Sequence, residues 1–382
     1  MRWYGPQDII SLKELKQAGI TGIVTALHQI PVGDVWEIKD IEERQQIIKD
    51  AGLEWKVIES LPVHEDIKRQ TGDYKKYIEN YKQSLLNLSQ CNLEVVTYNF
   101  MPILDWLRTD HHFKNEDGSS VLRYDPVKFA YFDLFLLKRE QAEHDYSKEA
   151  IENAWKMGES LNPEEKEILF NNVLLGLPGS DESFTPEIIK EQLKAYEHID
   201  DKRLRENLIY FLSEVAPVAE AEGLKLAIHP DDPPFSVLGL PRVVSTQDDI
   251  EQILSGVEIN ANGLCYCTGS LGARPENDLV QIFEKAKDRV HFLHLRNVKK
   301  EASGVFMESN HLDGDVPMAV VVTKILKHMN NKKISLPMRP DHGYLHSSES
   351  HKNFYAGYSL IGRLKGLAEL RGLEKGLQQQ LK

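Results

Sequence analysis

Between Leu224 and His342, four short apolar runs of strand type each end in a residue able to bind a metal ion. LKLAIHP carries His229, GLCYCTGS carries Cys267, VHFLHLRN carries His294 and ISLPMRPDHG carries Asp341. The intervals of 38, 27 and 47 residues between them are each wide enough for a helix and the return to a parallel neighbour. Strand ends related in this way converge on one mouth of a closed barrel, where barrel enzymes place their chemistry. The pattern predicts a (β/α)8 TIM barrel and a metal site of two imidazoles, one thiolate and one carboxylate.

The chain upstream has the same rhythm. MRWYG is strand-like, and Pro6 with Asp8 predicts the start of a helix carrying Ile9, Leu12 and Leu15, closed by Gly19. Gly22 to His28, Glu54 to Ser60 and Leu93 to Phe100 read as the second, third and fourth strands, with helices over Ile38 to Ala51 and Asp73 to Leu88 between them. The alternation then stops from Met101 to about Pro186. HHFKNEDGSS reads as an exposed turn, and KREQAEHDYSKEAIENAWKMGE and SLNPEEKEILFNNVLLGL read as solvated helices. A stretch this long is better read as an insertion over the barrel mouth than as one loop. Helices over Glu187 to Glu222, Thr246 to Leu254, Pro275 to Asp288, Val316 to His328 and Tyr358 to Leu373 complete eight strands. The expectation is one domain, residues 1–382, with a helical insertion after the fourth strand at about 101–186.

Each ligand has a plainer alternative. His229 could be a hydrogen-bonded structural residue, but the acidic, Pro-rich turn HPDDPP begins there. His291 and His294 lie three apart on a strand and face opposite sides, and His294 is nearer the mouth. Cys265 and Cys267 share a face, with Cys267 at the mouth and Cys265 packing lower as a buried thiol. Asp341 could cap the following helix. Four such residues at consecutive strand ends outweigh four coincidences. Imidazole and thiolate favour iron, cobalt or zinc, and the carboxylate also admits manganese. His342 is a candidate acid or base, or simply a loop hydrogen-bonder; Tyr358 is a second proton carrier or a packing residue. Arg296 and Arg339 offer planar two-point donors to a substrate carboxylate, though Arg339 could equally be an internal ion-pair partner.

A net charge of −13 argues against a nucleic-acid partner. Three cysteines are too few for a disulfide framework, and a reducing cytoplasm fits them. MRWYGPQDII has no basic region followed by an apolar run, so no signal peptide is expected, and no apolar stretch is long enough to span a bilayer.

The strings MRWYGP, IHPDDPP, CTGSLG, HLRN, HLDGD, MRPDHG and GYSLIGRLKGLAELRG resemble the mannonate dehydratase family from the first residues to the last helix. The resemblance implies a (β/α)8 barrel holding Mn2+ or Fe2+, with Co2+ a possible substitute, on His229, Cys267, His294 and Asp341. It implies acid–base roles for His342 and Tyr358, with Tyr355 competing for the second. It further implies loss of water from D-mannonate, giving 2-dehydro-3-deoxy-D-gluconate in hexuronate degradation. The partner is then a small sugar acid, with neither nucleic acid nor membrane, and a cytoplasmic homodimer is expected. The rival on the same barrel is a metal-dependent sugar isomerase or epimerase, which releases no water. A metal-dependent endonuclease and a non-catalytic carbohydrate binder are further alternatives.

Overall fold

The computed structural model describes residues 1–175, 185–301 and 303–380. Its strands, in chain order, are β1 Gly22–Thr25, β2 Glu54–Ile58, β3 Val95–Tyr98, β4 Asp110–Lys114, β5 Ser120–Tyr124, β6 Lys225–Ile228, β7 Asn262–Cys267, β8 Val290–Leu295, β9 Asn297–Lys300, β10 Phe306–Ser309 and β11 Met338–Pro340. Seven make a parallel sheet in the order β1-β2-β3-β6-β7-β8-β11, and four make an antiparallel sheet in the order β4-β5-β10-β9.

Seven of the eight expected barrel strands are therefore present as strands. The remaining one, MRWYG, is reduced to a parallel bridge between Arg2 and Val24. Trp3 N–H donates to Val24 O at 2.9 Å and Val24 N–H to Met1 O at 3.0 Å. Gly5, at φ +99°, then turns the chain away, and Pro6 has no N–H with which to continue a ladder.

The parallel sheet is curled. Arg339 of β11, at one end of the strand order, meets Glu59, just past β2 near the other end, with Nη2 to Oε1 at 2.5 Å. Inside the curl Val24, Val57, Val95, Ala227, Cys265 and Phe292 form one apolar layer. Its outer face is covered by amphipathic helices. In Asp201–Ala221 the buried Leu204, Leu208, Phe211, Leu212 and Val215 recur at helical spacing and pack in one core with Tyr81, Leu85 and Leu88 of Tyr74–Gln90.

Helix starts follow capping chemistry rather than hydrophobic spacing alone. The first helix begins at Leu12 instead of near Pro6, because Ser11 and Glu14 close a capping box. Asp8 is spent on the preceding turn, accepting from Tyr4 N and Ile10 N. The last helix is Leu360–Gln380, so Tyr358 stands on the loop before it.

The segment after β3 departs from a helical insertion; residues 176–184 of the expected span lie outside the described ones. The exposed turn expected in HHFKNEDGSS is present at Glu116–Gly118, with Gly118 at φ +82°, but it is the tip of a hairpin made by β4 and β5. Its strands are short and half polar, which hides their periodicity, and β5 finds its other partner in the distant β10. Helices Pro126–Tyr131, Lys148–Glu159 and Pro163–Val173 belong to the same cover, which has its own apolar cluster including Leu107, Tyr124, Phe132, Val173 and Phe306.

Candidate active site

At the ends of β6, β7 and β8, the ligating atoms of His229, Cys267 and His294 all lie within 4.8 Å of one another. His229 Nε2 is 3.2 Å from His294 Nδ1. Asp341, just past β11, places Oδ2 3.9 Å from both Cys267 Sγ and His294 Nδ1. The four expected ligands thus meet, three in a tight group and Asp341 one step outside it. Cys265 lies a strand period lower in the apolar layer, and His291 points away, its Nε2 2.8 Å from Asn260 O.

Surrounding groups set the orientation of each donor. The His229 ring bonds through Nδ1–H to Pro230 O at 2.7 Å, which turns Nε2 toward the cluster. His294 Nε2 lies 3.1 Å from Arg339 Nε and 3.4 Å from Glu59 Oε2, so the Arg339–Glu59 pair fixes the ring from behind. Ser270 Oγ–H donates to Cys267 Sγ at 3.2 Å.

Burial would push the Cys267 thiol up, but Arg296 and His229 outweigh it and hold the group well below the ordinary thiol range. Burial likewise opposes ionisation of Asp341, and Arg339, His342 and Arg296 reverse it, holding the carboxyl well below its usual range. His229 is pulled down by burial yet ends up raised to about 9, chiefly by the Cys267 thiolate and Asp341.

A divalent cation fits this donor set. A thiolate, two imidazoles and a nearby carboxylate suit the ions from manganese to zinc. Arg2, Arg108, Arg296, Arg339 and His229, raised to about 9, face Glu59, Asp232, Glu308, Asp341 and the Cys267 thiolate, five cations against five anions, so a bound dication would displace the His229 proton.

His342 and Tyr358 both reach this mouth. The His342 ring lies edge-on to Tyr358 at 5.1 Å and to Trp106 at 6.1 Å. Tyr358 Oη is 3.5 Å from Asp341 Oδ1, and its burial raises the phenol above its ordinary range. Tyr355 is 38% exposed and packs on the Tyr4 ring at 4.2 Å, so packing brings Tyr358, not Tyr355, to Asp341.

Arg296 and Arg339 are buried and already engaged with protein carboxylates. Arg296 pairs with Asp232 and Glu308, and Arg339 with Glu59. Each also pairs with Asp341, Arg296 Nε at 2.9 Å and Arg339 Nη1 at 2.5 Å, so both guanidinium groups hold protein carboxylates.

Glu59, Asp232, Arg108 and Glu308 are site residues that the sequence reading missed. Glu59 stands at a strand end like the four ligands, and that signal was available. Asp232 sits inside HPDDPP, where Asp231 holds the loop through Val244 N and Ser245 Oγ, while Asp232 faces Arg108 and Arg296. Arg108 and Glu308 come from the antiparallel cover, whose assembly no local pattern announces.

Parallel strand ends that bring two imidazoles, a thiolate and a carboxylate together define an α/β-barrel-type protein with a candidate metal centre. Comparison with known proteins narrows the class. The family model for D-mannonate dehydratase (UxuA) matches residues 1–382. A mannonate dehydratase from Marinomonas sp. (strain MWYL1) is 50% identical over 100% of this chain and 99% of its own length. The crystal structure of mannonate dehydratase from Streptococcus suis serotype 2 superposes with a TM-score of 0.79 at 33% identity, covering 100% of this chain and 95% of that one. A xylose isomerase-like TIM barrel protein from Mycobacterium smegmatis shares the fold alone, with TM-score 0.52 and 16% identity over 97% of this chain and 88% of that one. The chain belongs to the D-mannonate dehydratase family.

Proposed function

We propose that this chain is a hydro-lyase that converts D-mannonate to 2-dehydro-3-deoxy-D-gluconate and water in hexuronate degradation. Mn2+ or Fe2+ would be held by His229, Cys267, His294 and Asp341. The observation that carries the reading is the meeting of the three-ligand cluster with Asp341, His342 and Tyr358 on one following segment.

Bound there, the ion would act as a Lewis acid toward the substrate carboxylate and a hydroxyl. The chain supplies the rest. Arg296 and Arg339 hold Asp341 between them, and a substrate carboxylate that reached the mouth would meet the same two cations. The C2 proton, adjacent to that carboxylate, needs a base, and the departing C3 hydroxyl needs an acid. Buried Tyr358 keeps its proton at neutral pH and suits the acid step. The antiparallel cover brings Arg108 and Glu308 down beside His342, and His342 and Asp341 are buried.

The Arg2–Val24 bridge supports closure of the curled sheet into a (β/α)8 barrel, with the cover as an insertion in one domain. Three free, buried cysteines suit a reducing cytoplasm, and sedimentation tests the expected homodimer. No helix among the described residues is long and apolar enough to cross a membrane.

Metal-loaded protein incubated with a panel of aldonic acids tests the proposal. A 2-keto-3-deoxy product from D-mannonate supports it. An aldonate epimer or isomer with no water lost would favour the isomerase alternative, which here has likeness of fold alone.

A further inference from the structure

We infer that Glu308, from the antiparallel cover, is the positioning residue that fixes the tautomer of His342 and so assigns it the base role. This rests on the dehydratase reading and deepens it. Glu308 is 6% exposed and sits on β10, outside the parallel sheet that carries every candidate ligand. Its Oε1 lies 3.0 Å from His342 Nδ1.

Arg296 Nη1 also lies near, 3.1 Å from the same nitrogen, so two tautomers compete. With Nδ1 bare, its lone pair would accept from Arg296 but face a carboxylate oxygen at hydrogen-bond distance, lone pair against lone pair. With Nδ1 protonated, the N–H donates to Glu308, and Arg296 gives up only one acceptor. Its Nη1 still contacts Glu308, and Nη2 still contacts Asp232. Arg296 Nη1 has a second acceptor in Glu308 Oε1, whereas a bare Nδ1 would have that carboxylate oxygen set against it, so Nδ1 carries the hydrogen and Nε2 the lone pair.

The ring cannot easily turn over. Trp106 and Tyr358 meet it edge-on, and Gly357 lies along it at φ +81°, where a Cβ would sit 3.2 Å from His342 Cγ and Cδ2. Nε2 is 3.8 Å from Asp341 Oδ1, on the cluster side.

The step then balances. Nε2 takes the C2 proton as the C2–H electrons form the C2–C3 double bond. The C3–O bond breaks, and its oxygen takes the Tyr358 proton and leaves as water. The resulting enol becomes the 2-keto product when its O2 proton returns to Tyr358 and the proton on His342 goes to C3. Both residues end as they began.

The test uses the full-length enzyme loaded with a diamagnetic divalent ion and labelled with 15N-histidine, the His342 signal being identified by its loss in His342→Asn. The parent should show His342 protonated at Nδ1, and Glu308→Gln should shift it toward the Nε2–H form. Glu308→Gln should lower kcat about 10–100-fold, as supporting partners of catalytic groups do, with metal content unchanged and KM moved less than about threefold. Glu308→Asp should recover part of kcat. An Nε2–H tautomer in the parent, or a kcat equal to the parent's in Glu308→Gln, overturns the inference. If Glu308→Gln loses its fold or its metal, the parent's tautomer decides alone. A parent that makes no keto acid from D-mannonate sinks the dehydratase reading instead, and the tautomer still judges the link.

Discussion

His229 Nε2 and His294 Nδ1 stand 3.2 Å apart, at the ends of two strands separated by the one that carries Cys267. His229, raised to about 9, can donate from Nε2 to His294 Nδ1, and a bound cation would take the place of that proton. Donor atoms about 2.0–2.3 Å from one ion sit roughly 3–4 Å from each other, so this spacing suits a shared metal. Activity should therefore vanish on chelation and return with added Mn2+ or Fe2+. Full turnover by protein shown by elemental analysis to be metal-free would end the four-ligand proposal.

The two cysteines of β7 should separate cleanly. Cys267→Ser replaces a thiolate with a hydroxyl and should strongly lower metal occupancy in calorimetric titration. Cys265 packs with Val24, Val57, Val95, Ala227 and Phe292, where a serine hydroxyl has no polar neighbour among them. Cys265→Ser should keep metal binding and cost about 1–3 kcal/mol of stability in urea unfolding. Equal metal affinity in both variants and the parent would remove the thiolate from the ligand set.

Arg108 ties the cover to the barrel. It is fully buried, grips Asp232 through two bonds at 2.7 and 3.1 Å, and lies 3.4 Å from Glu308. Arg108→Met leaves two buried carboxylates short of a cation, and breaking a buried pair in this way costs about 3–5 kcal/mol. Thermal unfolding should show that loss, and limited proteolysis should cut first in the cover. A variant as stable and as protease-resistant as the parent would show the clamp to be idle.

Acid should destabilise the fold through buried histidines outside the candidate ligand set. Burial lowers His111 to about 3, and His291 and His311 to about 4. Below their ordinary value near 6.5 the unfolded chain binds protons that the folded chain refuses, so stability is full above that pH and falls as pH drops toward 4. Each such group contributes up to about 1.4 kcal/mol per pH unit. His291→Gln should flatten the decline in urea stability between pH 6.5 and 4.5 by up to one proton. An unchanged slope would mean that His291 is not buried neutral.

The strand ends were legible because each combined a short apolar run, a ligating residue and an immediate turn signal, as in LAIHPDDPP and LCYCTGS. The cover was not. β4 and β5 are brief, mixed in polarity and completed only by β10, far along the chain, so their pairing is a tertiary fact. Glu308 shares that invisibility. Tyr358 and Tyr355 are equivalent in sequence, and only the ring of Tyr4, which packs against both, leaves one facing Asp341 and the other facing outward. Arg296 and Arg339 were visible as cations at strand ends, but their engagement with Asp232, Glu308 and Glu59 depends on carboxylates from three other segments.

The sharpest kinetic prediction joins His342 and Tyr358. Their rings touch edge-on at 5.1 Å, and neither belongs to the three-ligand cluster. His342→Asn and Tyr358→Phe should each keep metal content and fold while lowering kcat. Positioned acids and bases contribute about 10²–10⁴-fold, so each loss should fall in that range. The proton taken from C2 and the proton given to the C3 oxygen belong to one elimination, so removing either partner already disables it. The double variant should then lose much less than the product of the single losses. Independent, multiplicative losses would mean that the two residues serve separate steps. A Tyr358→Phe enzyme with near-normal kcat would leave that ring as packing between Tyr4 and His342, and the acid would have to be sought elsewhere at the mouth.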